Sequence, residues 1–210
     1  MSFVDTTPLE NALPRVLPYV NGCPNQTAIF HLRQAAITFM RKTLCWQAEL
    51  APVLSVIGRE VYPIPLLDDS RLVKILRYRL GTHYDSGLLT PGQGRDFRHL
   101  NVQADAIWSD DRVNFHVSPL PTTIEPMRLI VALRPSDDAM EIPESVFEHY
   151  IEAIAQGAIS TISAIPRQPF TDMQQAAMRD EAFRRETSSA ATQVSKGFAA
   201  ANGRVRAHFY

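Results

Sequence analysis

Histidines and paired carboxylates are the side chains of this 210-residue chain that could support metal binding or acid–base catalysis. The 6 histidines show no HxxxH or HExxH spacing, which would place two imidazoles on one helix face, so the sequence predicts no metal site. Asp68-Asp69 and Asp110-Asp111 lie in turn-like stretches with an arginine close behind, which favours solvated turn carboxylates over an acid–base pair. We therefore predict no catalytic residues, no cofactor and no enzyme activity.

A glycine-rich loop at residues 83–99 carries the groups that could contact phosphate. Its stretch TPGQGRD at residues 90–96 lacks the lysine and the strand–turn–helix context of a phosphate-binding loop, which favours a long mobile loop. Arg95, Phe97 and Arg98 form a contact point that could touch a nucleic-acid backbone. The formal net charge of −1 gives no general attraction to nucleic acid or anionic lipid, so any basic contact must be local.

The two cysteines, Cys23 and Cys45, are too few and too far apart for a disulfide framework or a CxxC metal site. We expect both to be packed thiols of a protein in a reducing compartment. The sequence has no apolar run of eighteen or more residues, and its first residues lack a basic leader and an apolar signal region. These features predict a cytosolic protein without a membrane span.

Two long stretches have the apolar spacing of core helices. In the stretch Ile142–Ile165, apolar residues recur at steps of three and four, beginning after Pro143 and stopping at Pro166. The stretch Pro24–Trp46 has the same spacing on one face and its bases elsewhere. We predict that the two helices pack antiparallel or nearly so. Phe39 and Ile154 should be buried.

Between these helices the pattern changes to short alternating or β-branched runs with turn residues between them. They predict strands at Leu50–Ile57, Val61–Pro65, Leu72–Leu80, Ala106–Trp108, Val113–Val117 and Arg128–Leu133. Ser109–Arg112 has the composition of a hairpin turn. The fold class that follows is α+β: a helical bundle (24–46 and 143–194) with an inserted antiparallel β region at residues 47–142.

The two ends of the chain are predicted to be arms. Residues 1–23 contain three prolines that break any long helix and too many apolar groups for a free tail, so we expect an extended arm lying on another surface. A peripheral helix should begin at a capping box of Thr171 and Gln174. Residues 195–210 have no acidic side chain and end in two aromatic residues, which predicts a tail that docks on a partner; the alternative is a tail that folds back over its own helices.

Laid out in this order, the chain resembles the head-to-tail adaptor, or connector, proteins of tailed bacteriophages. The likeness is carried by the opening LPYVNGCPNQTAIFHLRQAAITFMRKTLCWQ at Leu17–Gln47, by the strands Tyr62–Pro65 and Arg71–Ile75, and by the Pro143-Glu144 entry to a helix pair. It covers nearly the whole chain and consists of packing patterns. The order of elements is also similar to that of the tail tubular proteins of short-tailed phages.

The resemblance implies a structural virion protein without catalysis. It implies a homo-oligomeric ring of about twelve subunits that docks beneath the portal protein and extends the DNA channel toward a tail or nozzle protein. Genomic DNA would pass without sequence-specific contacts. The location would be the head–tail junction of the virion, with the host cytoplasm as the site of assembly.

The resemblance also implies a role for the tail of the chain. The docking element of such adaptors is a C-terminal segment, which corresponds here to the stretch containing Arg204, Arg206, Phe209 and Tyr210. We further expect Arg95, Phe97 and Arg98, on the glycine-rich loop, to face the channel or the next tail protein.

Three other functions remain open from the sequence. Another neck or tail component of the same virion is the nearest alternative. A nucleic-acid-binding module is disfavoured by the near-neutral charge, because affinity for any sequence depends on neutralising phosphates. A small enzyme would require chemistry that none of the motifs indicates.

Overall fold

Three long helices form the body of the protein in the computed structural model, which describes residues 5–81, 87–88 and 106–197. They are α2 (Asn25–Thr43), α3 (Glu144–Ser163) and α4 (Met173–Lys196), and a single turn, α1 (Leu13–Val16), precedes them. Across the described ranges no helix combines the length and apolar character needed to cross a membrane. Antiparallel sheets lie in sequence between α2 and α3, and the predicted α+β class is confirmed.

Helices α2 and α3 run antiparallel, as their apolar stripes predict. Near one end His31 lies 2.9 Å from the Thr161 hydroxyl, and further along the Phe39 and Tyr150 rings are 5.2 Å apart, so sequence numbers rise along one helix as they fall along the other. Phe39 and Ile154 are both fully buried. Packing of the two stripes removes these side chains from water and supplies most of what holds such helices together.

Helix α4 packs on α3, also antiparallel, and buries a thin stripe of four residues, Ala176, Phe183, Thr187 and Ala190. The predicted capping residue is wrong. Asp172 is the N-cap, and its carboxylate accepts a hydrogen bond from the Gln175 amide at 2.9 Å. The Thr171 hydroxyl is occupied elsewhere, since it donates to the Ile165 carbonyl oxygen and accepts from the Gln168 amide. The acidic cap also suits the positive end of the helix better.

The N-terminal segment lies on the helical body, as expected, but only Thr6–Pro8 (β1) is extended. Beyond it the chain winds through short helical turns that bury Leu9, Ala12, Val16 and Val20. The prolines were expected to break any long helix, and each stands at the start of a short turn: Pro8 is an N-cap, and Pro14 and Pro18 occupy first-turn positions. Proline suits those positions because its fixed φ is helical and no N–H is needed there.

The larger sheet is centred on the long strand β9 (Pro126–Pro135). β5 (Ser70–Leu80) pairs along one edge of β9, while β2 (Gln47–Glu49) and β3 (Val53–Leu54) pair in succession along the other, all antiparallel. The predicted single strand Leu50–Ile57 is wrong: only Val53–Leu54 is a strand, and β2 was not predicted. Pro52 separates β2 from β3, because it has no N–H to donate to the ladder.

A smaller sheet has the order β4-β8-β7-β6. Its strands are β4 (Val61–Pro63), β6 (Gly87–Leu88), β7 (Ala106–Trp108) and β8 (Asn114–Ser118), and only the two-residue pair of β6 with β7 is parallel. β7 and β8 form the hairpin predicted around Ser109–Arg112, where the Asp111 carboxylate accepts from the Val113 and Asn114 amides. β10 (Glu141–Pro143) pairs with β1 and leads into α3.

Helix α4 continues to Lys196, so the predicted tail at 195–210 begins two residues inside the helix. Gly197, with φ of 69°, ends the helix in a backbone conformation that glycine adopts without strain.

Candidate functional site

The residues selected from the sequence as docking sites lie outside the part of the chain that the structure describes. They are Arg95, Phe97 and Arg98 of the glycine-rich loop and Arg204, Arg206, Phe209 and Tyr210 of the tail. The structure therefore brings none of them together, and their roles stay predictions. The candidate site must be built from residues 5–81 and 106–197.

Asp110 and Asp111, the two aspartates of the hairpin turn, have different partners. Asp111 closes the turn, and the amides and side chain of Asn114 together with the Val113 amide hold the pKa of its carboxyl down to about 2. Asp110 lies 4.0 Å from Nε2 of His116, whose Nδ1 is 3.5 Å from Glu60. Trp108 stacks on the His116 ring at 5.1 Å.

The His116 cluster was not predicted, because its members come from three different strands and loops. Strand pairing is the signal that could have found it: Val61, His116 and Trp108 are in register across β4, β8 and β7. The two carboxylates approach opposite nitrogens of the ring, so they do not converge on one point. In the described ranges no three His, Cys, Asp or Glu side chains are placed to hold one metal ion.

Both cysteines are free thiols, and burial raises the pKa of each. Cys23 is almost fully buried and Cys45 is partly buried. A raised pKa leaves little thiolate at neutral pH, so neither is a reactive nucleophile. The prediction of packed thiols is confirmed.

Five exposed apolar side chains lie on two neighbouring segments of the β region. Leu54, Val56, Ile57, Leu120 and Ile124 are 48–66% exposed, and we call them the distal apolar patch. Together they present roughly 500 Å² of apolar surface, the size at which a patch on a soluble protein is often functional. Their two segments lie side by side, because the Ser55 amide donates to Glu125 O and the Gly58 amide to Pro121 O, both at 2.9 Å.

The backbone beneath the distal apolar patch is held firmly by buried polar groups. The Ser55 hydroxyl donates to the Thr123 carbonyl and accepts from the Glu125 amide, both at 2.8 Å. The Tyr62 hydroxyl accepts from the Val56 amide at 2.9 Å and lies 3.0 Å from the carbonyl oxygens of Val56 and Arg59. Both side chains are 1% exposed. The apolar groups are therefore presented to solvent by a fixed loop.

The sequence interpretation missed this patch because it assigned Leu54 to Ile57 to one strand with a buried face. A signal was present: Leu54, Val56 and Ile57 precede Gly58 with a spacing that fits neither one strand face nor one helix face. Gly58 has φ of 74° and forms the turn that returns the chain toward β4.

A second set of exposed apolar side chains lies on the helical body. Met173 and Met178 of α4 are each 65% exposed, and Tyr19 is 48% exposed. The guanidinium of Arg179 lies 4.3 Å over the Tyr19 ring, which fixes that ring beside the first turns of α4. Methionine adapts to irregular partner surfaces, so this region can form contacts of moderate specificity.

These two surfaces share no residue and differ in chemistry. The distal apolar patch is a rigid aliphatic loop of the β region. The second surface, on the helical body, has flexible methionine side chains beside the anchored Tyr19 ring. Such an arrangement can bind a macromolecular partner. Comparison of the sequence with protein-family models and with curated proteins finds no match.

Proposed function

We propose that this chain is a structural virion protein, a head-to-tail adaptor that forms a ring of about twelve subunits between the capsid portal and the tail. The resemblance of the sequence to phage connectors suggests this role. The distal apolar patch is the observation that carries it, since a subunit made for assembly exposes apolar surface that a neighbour will cover.

The rigidity of the patch supports binding to a partner. Ser55 and Tyr62 already fix the loop in the free subunit. Binding of a partner to Leu54 or Ile57 therefore does not lose conformational entropy from ordering this loop. At roughly 25 cal/mol per Å², burial of the whole patch supplies on the order of 10 kcal/mol before the losses of association. This is enough for one side of a stable contact.

Two different apolar surfaces on one subunit favour a head-to-tail arrangement. When the distal apolar patch of one copy contacts a different surface of the next, each subunit has one contact left to make, and the series closes into a ring when the rotation between subunits divides a full turn. The exposed residues Tyr19, Met173 and Met178 are a suitable opposite surface.

The remaining parts of the proposal concern the segments outside the described residues. The tail with Arg204, Arg206, Phe209 and Tyr210 docks on the portal, where the two aromatic rings can bury about 150–250 Å² each. The loop with Arg95, Phe97 and Arg98 faces the channel or the tail protein below. In this proposal the protein belongs to the head–tail junction.

Charge substitution in the distal apolar patch tests the ring. The double variant Ile57→Glu, Leu120→Glu should keep its fold, because both side chains are at least half exposed, and should fail to form rings. Val113→Glu is a control for one added charge: it is 61% exposed in the same β region but precedes β8, whereas Leu120 follows it, and it is compared with Ile57→Glu and Leu120→Glu made singly. Sedimentation of each protein in the presence of portal measures assembly. Rings of unchanged size in the double variant would refute the role of the patch.

A further inference from the structure

The outward face of the larger sheet carries six cationic side chains. Those of β5 are Arg71, Lys74, Arg77 and Arg79, and those of β9 are Arg128 and Arg134. The opposite face holds the core residues Met127, Leu129, Val131 and Leu133, all at most 1% exposed. We call the six residues the basic face.

Two β-bulges in β5 bring its cations onto one face. In a regular strand Lys74 would share a face with Leu72 and Tyr78, since side chains alternate. The register shifts once between Leu72 and Lys74 and again between Ile75 and Arg77. Each bulge adds one unpaired residue, so Arg71, Lys74 and Arg77 all fall opposite outward positions of β9.

Acidic side chains neutralise only part of this face. Glu49 on β2 pairs with Arg128 at 3.1 Å, both about half exposed, and the exposed Asp137 pairs with the less exposed Arg134 at 3.2 Å. Lys74 and Arg77 are exposed and form no ion pair within the described part of the chain. Together with the exposed Arg71, they give the face three positive charges that no carboxylate within the described ranges pairs, on a chain whose formal net charge is −1.

Stability of the sheet does not explain why these cations lie on one face. Register places Arg71 directly opposite Arg134 and Arg79 directly opposite Arg128. Like charges in directly opposed positions weaken a sheet, by roughly 0.2–1 kcal/mol for a cross-strand pair. Two such pairs between β5 and β9, kept in phase by two bulges, indicate a surface suited to an anionic partner.

We propose that the basic face binds the phosphate backbone of double-stranded nucleic acid without reading its sequence. From Arg71 to Arg79 the face spans roughly 25 Å at about 3.3 Å per residue. A duplex of that length carries about 15 phosphates along its axis. Five of the six cations are arginine, whose planar fork matches phosphate oxygens.

The composition of the face argues against recognition of unpaired bases. Its remaining outward residues, Ala132 and Ile130 of β9 and Gln47 and Glu49 of β2, include no aromatic ring on which an unpaired base could stack. A row of cations neutralises phosphates at any sequence. We therefore place the contacts on the backbone, which positions a duplex and carries no sequence information.

This inference rests on the proposed function for its setting, because a ring that passes a genome needs a surface that holds duplex phosphate at any sequence. The binding itself is a property of one subunit. Ring assembly and DNA binding are therefore measured separately: sedimentation with portal tests the proposed function, and binding to free DNA tests the basic face.

The test is binding of the full chain to a labelled, random-sequence DNA duplex, followed by fluorescence anisotropy at several salt concentrations. Three neutralised phosphates predict a slope of about −2.7 for log K against log salt, or roughly fortyfold weaker binding between 50 and 200 mM. In the variant Arg71→Gln, Lys74→Gln, Arg77→Gln the slope should fall toward zero. A second duplex of different sequence should bind with the same affinity.

The control variant Lys42→Gln, Arg167→Gln, Arg185→Gln makes the same charge change at exposed positions on the helical body and should bind as the parent does. A charge-keeping variant, Arg71→Lys, Arg77→Lys, should retain the parent slope, which separates lost charge from a disturbed sheet. Equal slopes in the parent and the glutamine variant would overturn the inference. So would stronger binding to polyglutamate or to anionic lipid vesicles than to the duplex.

Discussion

The Tyr62 hydroxyl shows how a single polar atom keeps an exposed loop in place. It is the acceptor of the Val56 amide, and it lies within hydrogen-bonding distance of two carbonyl oxygens of the same loop. Its ring is stacked on Phe115 at 5.5 Å and covered by the guanidinium of Arg59 at 5.2 Å. The tyrosine therefore connects the core of the smaller sheet with the distal apolar patch.

Replacement of Tyr62 by Phe should loosen that loop while leaving the sheet intact. The Val56 amide loses its acceptor, and leaving such a group unsatisfied costs about 1–3 kcal/mol. Hydrogen exchange should quicken at Val56 and its neighbours. The conservative control Tyr19→Phe removes an exposed hydroxyl and should leave that exchange unchanged. Unaltered protection of Val56 in the Tyr62→Phe protein would show that the loop is held by other contacts.

His31 gives the stability a defined pH dependence. Its ring lies 2.9 Å from the Thr161 hydroxyl, and burial lowers its pKa below the usual value of about 6.5. The unfolded chain therefore binds a proton first as the pH falls. The stabilisation is complete above about pH 6.5 and is lost as the pH falls toward the folded-state pKa.

Unfolding free energies measured from about pH 8 to pH 5 should show this loss in the parent and a smaller one in His31→Gln, which cannot take up the proton. Denaturant melts at each pH supply the free energies. Identical pH slopes in the two proteins would mean that His31 does not contribute to the dependence.

Among the secondary-structure elements, the three long helices come together around Gly157 of α3. A Cβ added there would lie 2.9 Å from the Phe183 ring of α4 and 3.2 Å from the Ala35 Cβ of α2. Alanine favours a helix by roughly 0.5–1 kcal/mol over glycine, whereas overpacking costs about 1–3 kcal/mol. The steric term should be larger, so we expect Gly157→Ala to lower the free energy of unfolding.

A double-mutant cycle with Phe183→Leu separates the two effects. The smaller side chain removes the ring that the new methyl group meets, so Gly157→Ala should be better tolerated in that background. Thermal melts of the four proteins provide the comparison. If Gly157→Ala raised the melting temperature of the parent, the close helix contact would be refuted.

The sequence was sufficient for the elements whose periodicity is regular. The stripes of α2 and α3 predicted both helices, their antiparallel packing and the burial of Phe39 and Ile154. The N-cap of α4 was less predictable, because two neighbouring residues compete for that position. Thr171 and Asp172 are both capping residues by type, and only the path of the chain after Ile165 shows that Thr171 is engaged elsewhere.

The candidate surfaces were less predictable, because both depend on register. By simple alternation Lys74 would lie on the inward face, and only the two bulges of β5 place it on the outward face. Leu54 and Ile57 were placed in one predicted strand, Leu50–Ile57, which Pro52 and the Ser55 hydrogen bonds interrupt. Alternation along a sequence does not reveal where a strand slips by one residue, and each slip exchanges the two faces.

At the scale of the whole molecule, apolar and basic groups occupy separate surfaces. The distal apolar patch and the exposed methionines of α4 suit contacts between proteins. The basic face concentrates six of the 21 lysines and arginines on one sheet, so the near-neutral total charge conceals a strongly cationic region. A ring subunit with neighbours on two sides and a duplex on a third would need these three surfaces.

The mass of the complex formed by the purified protein with portal, measured by native mass spectrometry, tests the adaptor proposal most directly. We expect the portal mass plus about twelve copies of the 23.6 kDa chain. A chain ended after Gly197 keeps the whole of α4 but lacks the docking tail, and should melt like the parent yet leave the portal mass unchanged. A portal mass unchanged by the full chain, or equal gains with both chains, would contradict the account.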